Sequence, residues 1–473
     1  MNLSRDRVRA AARLFGLGVF LGASAAHAQV TGPVGSGAPF TNYQPALAVS
    51  QVVELTGLFP STVSGEATNG TLGFVYSFAG SFAPRGSAFA TGSSLFINGN
   101  AAIFALLGTT YGGDGQTRFR LPDLAGRSVV GTGEAPGLLD RDLGESYGFP
   151  QVALTTSILP EHVHTLPGGH VTGTAGGSQP FSNAQPSLAL TRLIAVGGPF
   201  PPTAGGSAPA FLGQVATFAG NFAPAGWMEA HGQTLQIDQY SSLFTLLGTT
   251  FGGDGVTTFA LPDLRGRVSV GAATPADLGS MTGTEFPTLS PGQLPAHAHT
   301  LDGGGSTGVT GAGVPFDNRQ PSLALNYLIA LNGAFPSPAS GDGFDIDFPT
   351  IGQITEFAGN FAPAGWAFAH GQLLQISEYE TLFQLIGTTF GGDGEATFAL
   401  PDLRGRTLIG AGLSSSMGLQ FRLGDTVGTG EVFLTTANLP AHIHTAVVPE
   451  PATWITLFAG LAGVGFAVRR RAG

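Results

Sequence analysis

Six of the ten histidines of this chain fall in three His-x-His pairs: His162 and His164, His297 and His299, His442 and His444. Each pair follows a Leu-Pro dipeptide, at Leu159-Pro160, Leu294-Pro295 and Leu439-Pro440. Residues two apart on an extended strand project from the same face, so one pair can offer two imidazole nitrogens to one ion. A single pair binds weakly and reads equally well as two solvated loop histidines. Three pairs meeting on a pseudo-threefold axis would supply six nitrogens to one divalent ion, zinc foremost, and leave no position for water or substrate. Such an ion would support stability without turnover.

Other residues carry weaker chemistry. His231 and His370 stand beside Gly-x-Trp turns and read as packed or hydrogen-bonded. Trp227 and Trp366, with loop aromatics, are candidates for stacking on a cell-surface glycan. A Gly-Gly-Asp-Gly run recurs around Asp114, Asp254 and Asp393; Asp-Gly and Gly-Gly suit a tight connection with positive φ better than an anion nest or a cation site. Asp123, Asp263 and Asp402 lie close to Arg127, Arg265, Arg267, Arg404 and Arg406, as expected of structural ion pairs. Asp342, Asp345 and Asp347 lack the twelfth-position Glu of an EF-hand and read as a charged linker. The competing function is a metal-dependent hydrolase or glycan-active enzyme. That would need an open coordination site and a placed base, whereas Glu161 near one pair has no counterpart in the others, and no Gly-x-Ser-x-Gly elbow is present. The expected protein is not an enzyme.

The elements that must position these residues recur three times. Pro-Asp-Leu begins at Pro122, Pro262 and Pro401, and Phe-Ala-Pro at Phe82, Phe222 and Phe361, a period far longer than that of solenoid repeats. A second element, Pro-Phe-x-Asn-x-Gln-Pro, begins at Pro39, Pro180 and Pro315 and leads into apolar runs such as Leu323 to Leu331, which suit a buried strand. One helix per copy is expected. Ser377 with Glu380 reads as a capping box, Asp238 and Asn98 as the matching N-caps, and Gly387, Gly248 and Gly108 as helix stops.

The chain has no cysteine and no lysine and a net charge of −11, with its basic residues concentrated at both ends. Disulfides and thiolate chemistry are excluded, and an acidic body without a basic patch argues against nucleic acid as a partner. Arg5, Arg7, Arg9 and Arg13 precede the apolar run Leu14 to Ala25 and Ala26-His27-Ala28, the pattern of a secretory signal peptide at residues 1–28 with cleavage before Gln29. The other end reads Pro449-Glu450-Pro451, an apolar stretch from Ala452 to Val468, then Arg469, Arg470 and Arg471. This tail, 446–473, resembles a PEP-CTERM sorting signal, which implies an exosortase as processing partner, transient membrane association in a Gram-negative bacterium, and an exported product at the cell surface or outside the cell. As bare physics it is a marginal membrane span with a cationic stop.

The stretches Thr71 to Thr165, Ala210 to Thr300 and Thr350 to Thr445 share, in order, a Gly-x-Val or Gly-x-Ile strand, Phe-Ala-Pro, Gly-Thr-Thr-aromatic-Gly-Gly-Asp-Gly, Leu-Pro-Asp-Leu and Leu-Pro-x-His-x-His-Thr. Together they resemble the phage tail collar domain in the form found in bacterial microcystin-dependent proteins. Copy 1 departs from the others with Ser87 for tryptophan, Thr91 for histidine and Ala125 for arginine. The resemblance implies collar repeats at 71–165, 210–300 and 350–445, joined by an arm at 29–70 and by linkers with arms at 166–209 and 301–349. It implies an α+β, β-rich fold of three tandem small collar domains with one short helix each, arranged as an intrachain pseudo-trimer and therefore monomeric. The expected role is a noncatalytic surface protein, structural or adhesive, meeting a glycan or the extracellular matrix.

Overall fold

A strand of nine residues, buried along its whole length, precedes the collar in each copy: Ala46–Glu54, Ser187–Ala195 and Ser322–Ala330. Its apolar run is continuous where a half-exposed strand would alternate, because both of its faces are covered. The computed structural model describes residues 28–63, 65, 67–68, 70–204, 210–302, 304–337 and 349–447. Residues 1–27 of the signal peptide expected at 1–28, the three linker acids and Pro449, Glu450 and Pro451 lie outside the described residues.

The second half of each arm strand pairs antiparallel with the first strand of its own collar: Ala46–Glu54 with Phe74–Phe78, Ser187–Ala195 with Gln214–Phe218, and Ser322–Ala330 with Gln353–Phe357. The first half pairs parallel with a short strand that closes the preceding copy. Ser128–Gly131 of copy 1 lies on the arm of copy 2, Val268–Gly271 of copy 2 on the arm of copy 3, and Thr407–Gly410 of copy 3 returns to the arm of copy 1. The three collar strands also meet one another end to end, with Val75 opposite Thr217, Val215 opposite Glu356 and Ile354 opposite Ser77.

This pairing corrects the expected α+β fold of three tandem small domains. A single 15-stranded sheet draws strands from all three copies, and the helical content of the described residues is three seven-residue α-helices with short 3-10 turns. The apolar cores cross copy boundaries too. Leu188 and Leu190 pack with Ile103 and Phe119, Leu323 and Leu325 with Leu247 and Phe259, and Leu47 and Val49 with Phe398 and Leu400. A collar without the next arm would leave its closing strand unpaired and its core open.

The helices also begin later than expected. Their N-caps are Asn100, Tyr240 and Tyr379, none with a side-chain cap hydrogen bond, so Asn98, Asp238 and Ser377 precede the helices and the Ser377–Glu380 box does not form. Gly108, Gly248 and Gly387 do end them, at φ of +54°, +55° and +52°. Each turn aspartate takes up its own loop: Asp114 Oδ1 accepts the backbone N–H groups of Gln116, Thr117 and Arg118 at 2.9, 2.7 and 2.8 Å. The Asp-Arg motif forms ion pairs, Asp123 with Arg127, Asp263 with Arg265 and Asp402 with Arg404.

Where the collar strands meet, equivalent positions carry different residues. Gln51, Arg192 and Tyr327 occupy one set, and Ser77, Thr217 and Glu356 another. Gln51 bonds to Ser77 at 3.0 Å, while Arg192, 2% exposed, pairs with Glu356, whose carboxylate also accepts the Ser269 hydroxyl at 2.6 Å. Removing one partner of a buried pair strands the other charge. We expect Glu356→Gln to lower unfolding stability by about 3 kcal/mol or more, measured by urea denaturation. Asp317→Asn breaks the surface pair with Arg319, whose side chains are each 48% exposed, and should change stability by less than about 1 kcal/mol.

Candidate metal centre

Each His-x-His pair is set by what precedes it. In copies 2 and 3 a 3-10 turn, Pro291–Gln293 or Thr436–Asn438, is held by a capping box between Ser290 and Gln293 or Thr435 and Asn438, and hands the chain to Leu-Pro. Leu159, Leu294 and Leu439 then enter one apolar cluster with Phe40, Phe181 and Phe316, whose rings meet edge to face at 5.5 to 6.3 Å. This plug takes one Phe and two Leu from each copy, Leu154, Leu289 and Leu434 joining the other three. Behind it Asn42, Asn183 and Asn318 donate in turn to the carbonyls of Ala184, Arg319 and Asn42, lacing the copies together.

All six histidines converge and are buried, from 0% exposure at His164 and His299 to 5% at His162 and His442. His162, His297 and His442 form one trio, each three residues beyond Leu159, Leu294 or Leu439, with Nδ1 on the carbonyls of Pro160, Pro295 and Pro440 at 2.9, 3.0 and 3.1 Å. The other three reach across copies. His164 Nδ1 meets Gly308 O, His299 Nδ1 meets Gly32 O and His444 Nδ1 meets Gly173 O, each at 2.8 Å. A carbonyl accepts only from N–H, so every Nδ1 is protonated and every Nε2 is left as a bare acceptor.

The Nε2 atoms face one another. Those of His162 and His442 are 3.3 Å apart, and those of His164, His297, His299 and His444 are buried with no hydrogen-bond partner. Four trios, one of them His162, His297 and His442, bring their ligand atoms within 4.8 Å. The trios share corners as faces of an octahedron, with His162 opposite His299, His297 opposite His444 and His442 opposite His164; neighbouring rings lie 4.8 to 5.5 Å apart. Six acceptors aimed at one point without a donor among them suit a cation. Imidazole is a good ligand for zinc and for the divalent ions of iron, cobalt and nickel.

Trp227 and Trp366 lie elsewhere, 5% and 4% exposed in the core, against Phe74 at 5.2 Å and Phe211 at 5.8 Å. Their faces are covered, so neither offers a stacking surface. His231 Nδ1 is 3.2 Å from Glu229, and His370 stacks on Phe368 at 5.0 Å. Sequence reasoning missed the carbonyls of Gly32, Gly173 and Gly308 and the hydroxyls of Thr31, Thr172 and Thr307, which accept the backbone N–H of His444, His164 and His299 at 2.8, 3.0 and 3.0 Å. The Thr-Gly dipeptide common to the three positions was the available signal.

Burial, with some repulsion among the rings, lowers the pKa of His162 and His164 to about 4, and burial also lowers those of His297, His299 and His444. Because the unfolded chain takes up these protons near pH 6.5 and the folded one does not, it binds more protons between the two values. The metal-free protein should therefore hold full stability above about pH 6.5 and lose it as the pH falls toward about 4, which melting temperatures across that range would check.

Comparison with known families follows these boundaries. A model of the Phage Tail Collar Domain matches residues 73–129, 213–269 and 352–408, each from just ahead of a collar strand into the strand that closes the copy. A PEP-CTERM protein-sorting motif matches 447–471. The matches reach the collar domain and not the narrower microcystin-dependent type. No curated protein and no solved structure matches the chain. Among the described residues no helix is long and apolar enough to cross a membrane. The chain carries three phage tail collar domains and a PEP-CTERM sorting motif, the marks of an exported structural protein that an exosortase processes in a Gram-negative bacterium.

Proposed function

We propose that this protein is a noncatalytic structural module displayed at the cell surface, built as a one-chain counterpart of a collar trimer and pinned by one divalent ion held by His162, His164, His297, His299, His442 and His444. The carrying observation is the set of buried Nε2 acceptors, each oriented by an Nδ1–H committed to a carbonyl. Six imidazoles fill an octahedral shell, so the ion would have no open position for a substrate. Zinc is the foremost candidate among the ions that imidazole suits, since its filled d shell imposes no geometric preference of its own. Adhesion to a surface partner, a glycan or the extracellular matrix, is the role the collar domain suggests. It would use a surface other than the buried Trp227 and Trp366.

Elemental analysis of the untagged, processed protein should give about one divalent ion per chain. An ion bound only by the folded state adds about 2.7 kcal/mol at a hundredfold excess over Kd, so chelation should lower the melting temperature. Three ions per chain would mean separate sites, and no ion with no chelator effect would defeat the proposal.

Because each copy already borrows its neighbour's strand within the chain, the protein should be monomeric. Light scattering of the processed protein should give the mass of one chain, and a stable homotrimer would contradict this.

A further inference from the structure

Copies 1 and 2 build their own return limb beside the histidines. After His164 the chain doubles back, with Thr165 opposite Val171 and His162 opposite Ala175; after His299, Thr300 lies opposite Ser306 and His297 opposite Thr310. In copy 3 the chain runs from His444 through Thr445–Val447 into the sorting motif that begins at 447. Its limb comes from the other end of the chain. Ala28–Val30 pairs antiparallel with Thr445–Val447, Val30 opposite Thr445, and Val34 lies opposite His442.

The replacement holds atom for atom. Thr31 Oγ1 accepts the N–H of His444, 413 residues away, as Thr172 does for His164 and Thr307 for His299. Gly32 O accepts from His299 Nδ1 as Gly308 O does from His164 and Gly173 O from His444. Gly32 N–H donates to Thr300 O at 2.9 Å, matching Gly173 on Thr445 at 2.6 Å and Gly308 on Thr165 at 2.8 Å. At all three glycines an added Cβ would collide with the hydroxyl of that same threonine: Thr300, Thr445 or Thr165.

We propose that Thr31 and Gly32 are positioning residues of the histidine site, and that the N-terminal strand and the strand entering the sorting motif close that site together. Ion binding and the clasping of the two chain ends are then one event. The inference rests on the metal reading above. It gives the junction ahead of the sorting motif a defined state: paired when the site is loaded, released when the ion is withdrawn. It also makes the centre the last part of the chain to assemble, since it needs residues from both extremes.

The test uses the chain as exported and processed in a Gram-negative host, with Zn2+ as the probe. Losing an outer-shell partner of a ligating imidazole weakens metal binding about 10- to 100-fold. Thr31→Val leaves the His444 N–H without its acceptor, and Gly32→Ala would push its Cβ into Thr300 Oγ1 and shift its carbonyl off His299 Nδ1. By displacing a ligating ring, each should weaken zinc binding toward that range with circular dichroism unchanged, while Thr31→Ser, which keeps the hydroxyl, stays near wild type. Should Gly32→Ala fail to fold, Thr31→Val decides. In hydrogen exchange of the wild type, chelation should raise the rates of residues 30–34 and 442–447 together. Wild-type affinity in Thr31→Val, or N-terminal amides indifferent to chelation, would overturn the proposal and leave the metal site standing. A wild type that takes up neither zinc nor any other divalent ion would sink the metal site and this proposal with it.

Discussion

The parallel pairing of Thr407–Gly410 with the arm strand Ala46–Glu54 closes the ring of copies, and the rest of the molecule depends on it. Without it the copies would form an open chain, with the arm of copy 1 lacking its parallel neighbour and the closing strand of copy 3 lacking a partner. The contact spans most of the sequence, yet the entropy of closing a long loop grows only logarithmically with its length. Once made, it encloses the apolar residues of copy 3 around Leu47 and Val49 and carries the third histidine pair to the other two.

Closure within one chain changes what the centre can hold. Three identical subunits must place three identical residues about the axis, so any charge there is repeated threefold. Here copies can differ, and the chain uses that freedom at one level and not at others. The histidines, the Phe-Leu plug and the asparagine lacing are alike in all copies. On the arm strands, beside the collar strands, the equivalent positions diverge to Gln51, Arg192 and Tyr327, so one arginine finds one glutamate. Symmetry persists where six like nitrogens face one point and gives way where like charges would repel.

The histidine cluster has a further consequence for its own protonation. Rings within 5.5 Å of one another in a buried site cannot all be charged, and the carbonyls on Nδ1 fix which nitrogen keeps its proton. Burial thereby holds His162, His164, His297, His299 and His444 as neutral acceptors below neutral pH, before any ion arrives. Ligand tautomer and orientation are both set by backbone atoms, and three of those six carbonyls belong to a neighbouring copy or, for Gly32, to the N-terminal strand.

Local signals were legible in the sequence where one short segment sufficed. The repeat, the buried arm strand, the glycine helix stops and the Asp-Arg pairs all follow from residues close together, because turn, strand and cap preferences act within a few positions. The capping of the α-helices was misread because Ser377, Asp238 and Asn98 lie ahead of the first helical turn, while boxes at Ser290 and Thr435 near the histidines passed unnoticed. The stacking role suggested for Trp227 and Trp366 failed on burial, which an aromatic beside a turn does not reveal. Three His-x-His motifs indicated what the site contains. Only tertiary structure decided how the site is closed, because strand exchange between copies is set by backbone pairing and shared cores, and no periodicity records which strand an edge will choose. The same holds for Thr31 and Gly32: their place beside His444 and His299 exists only after the ring has brought the two ends of the chain together.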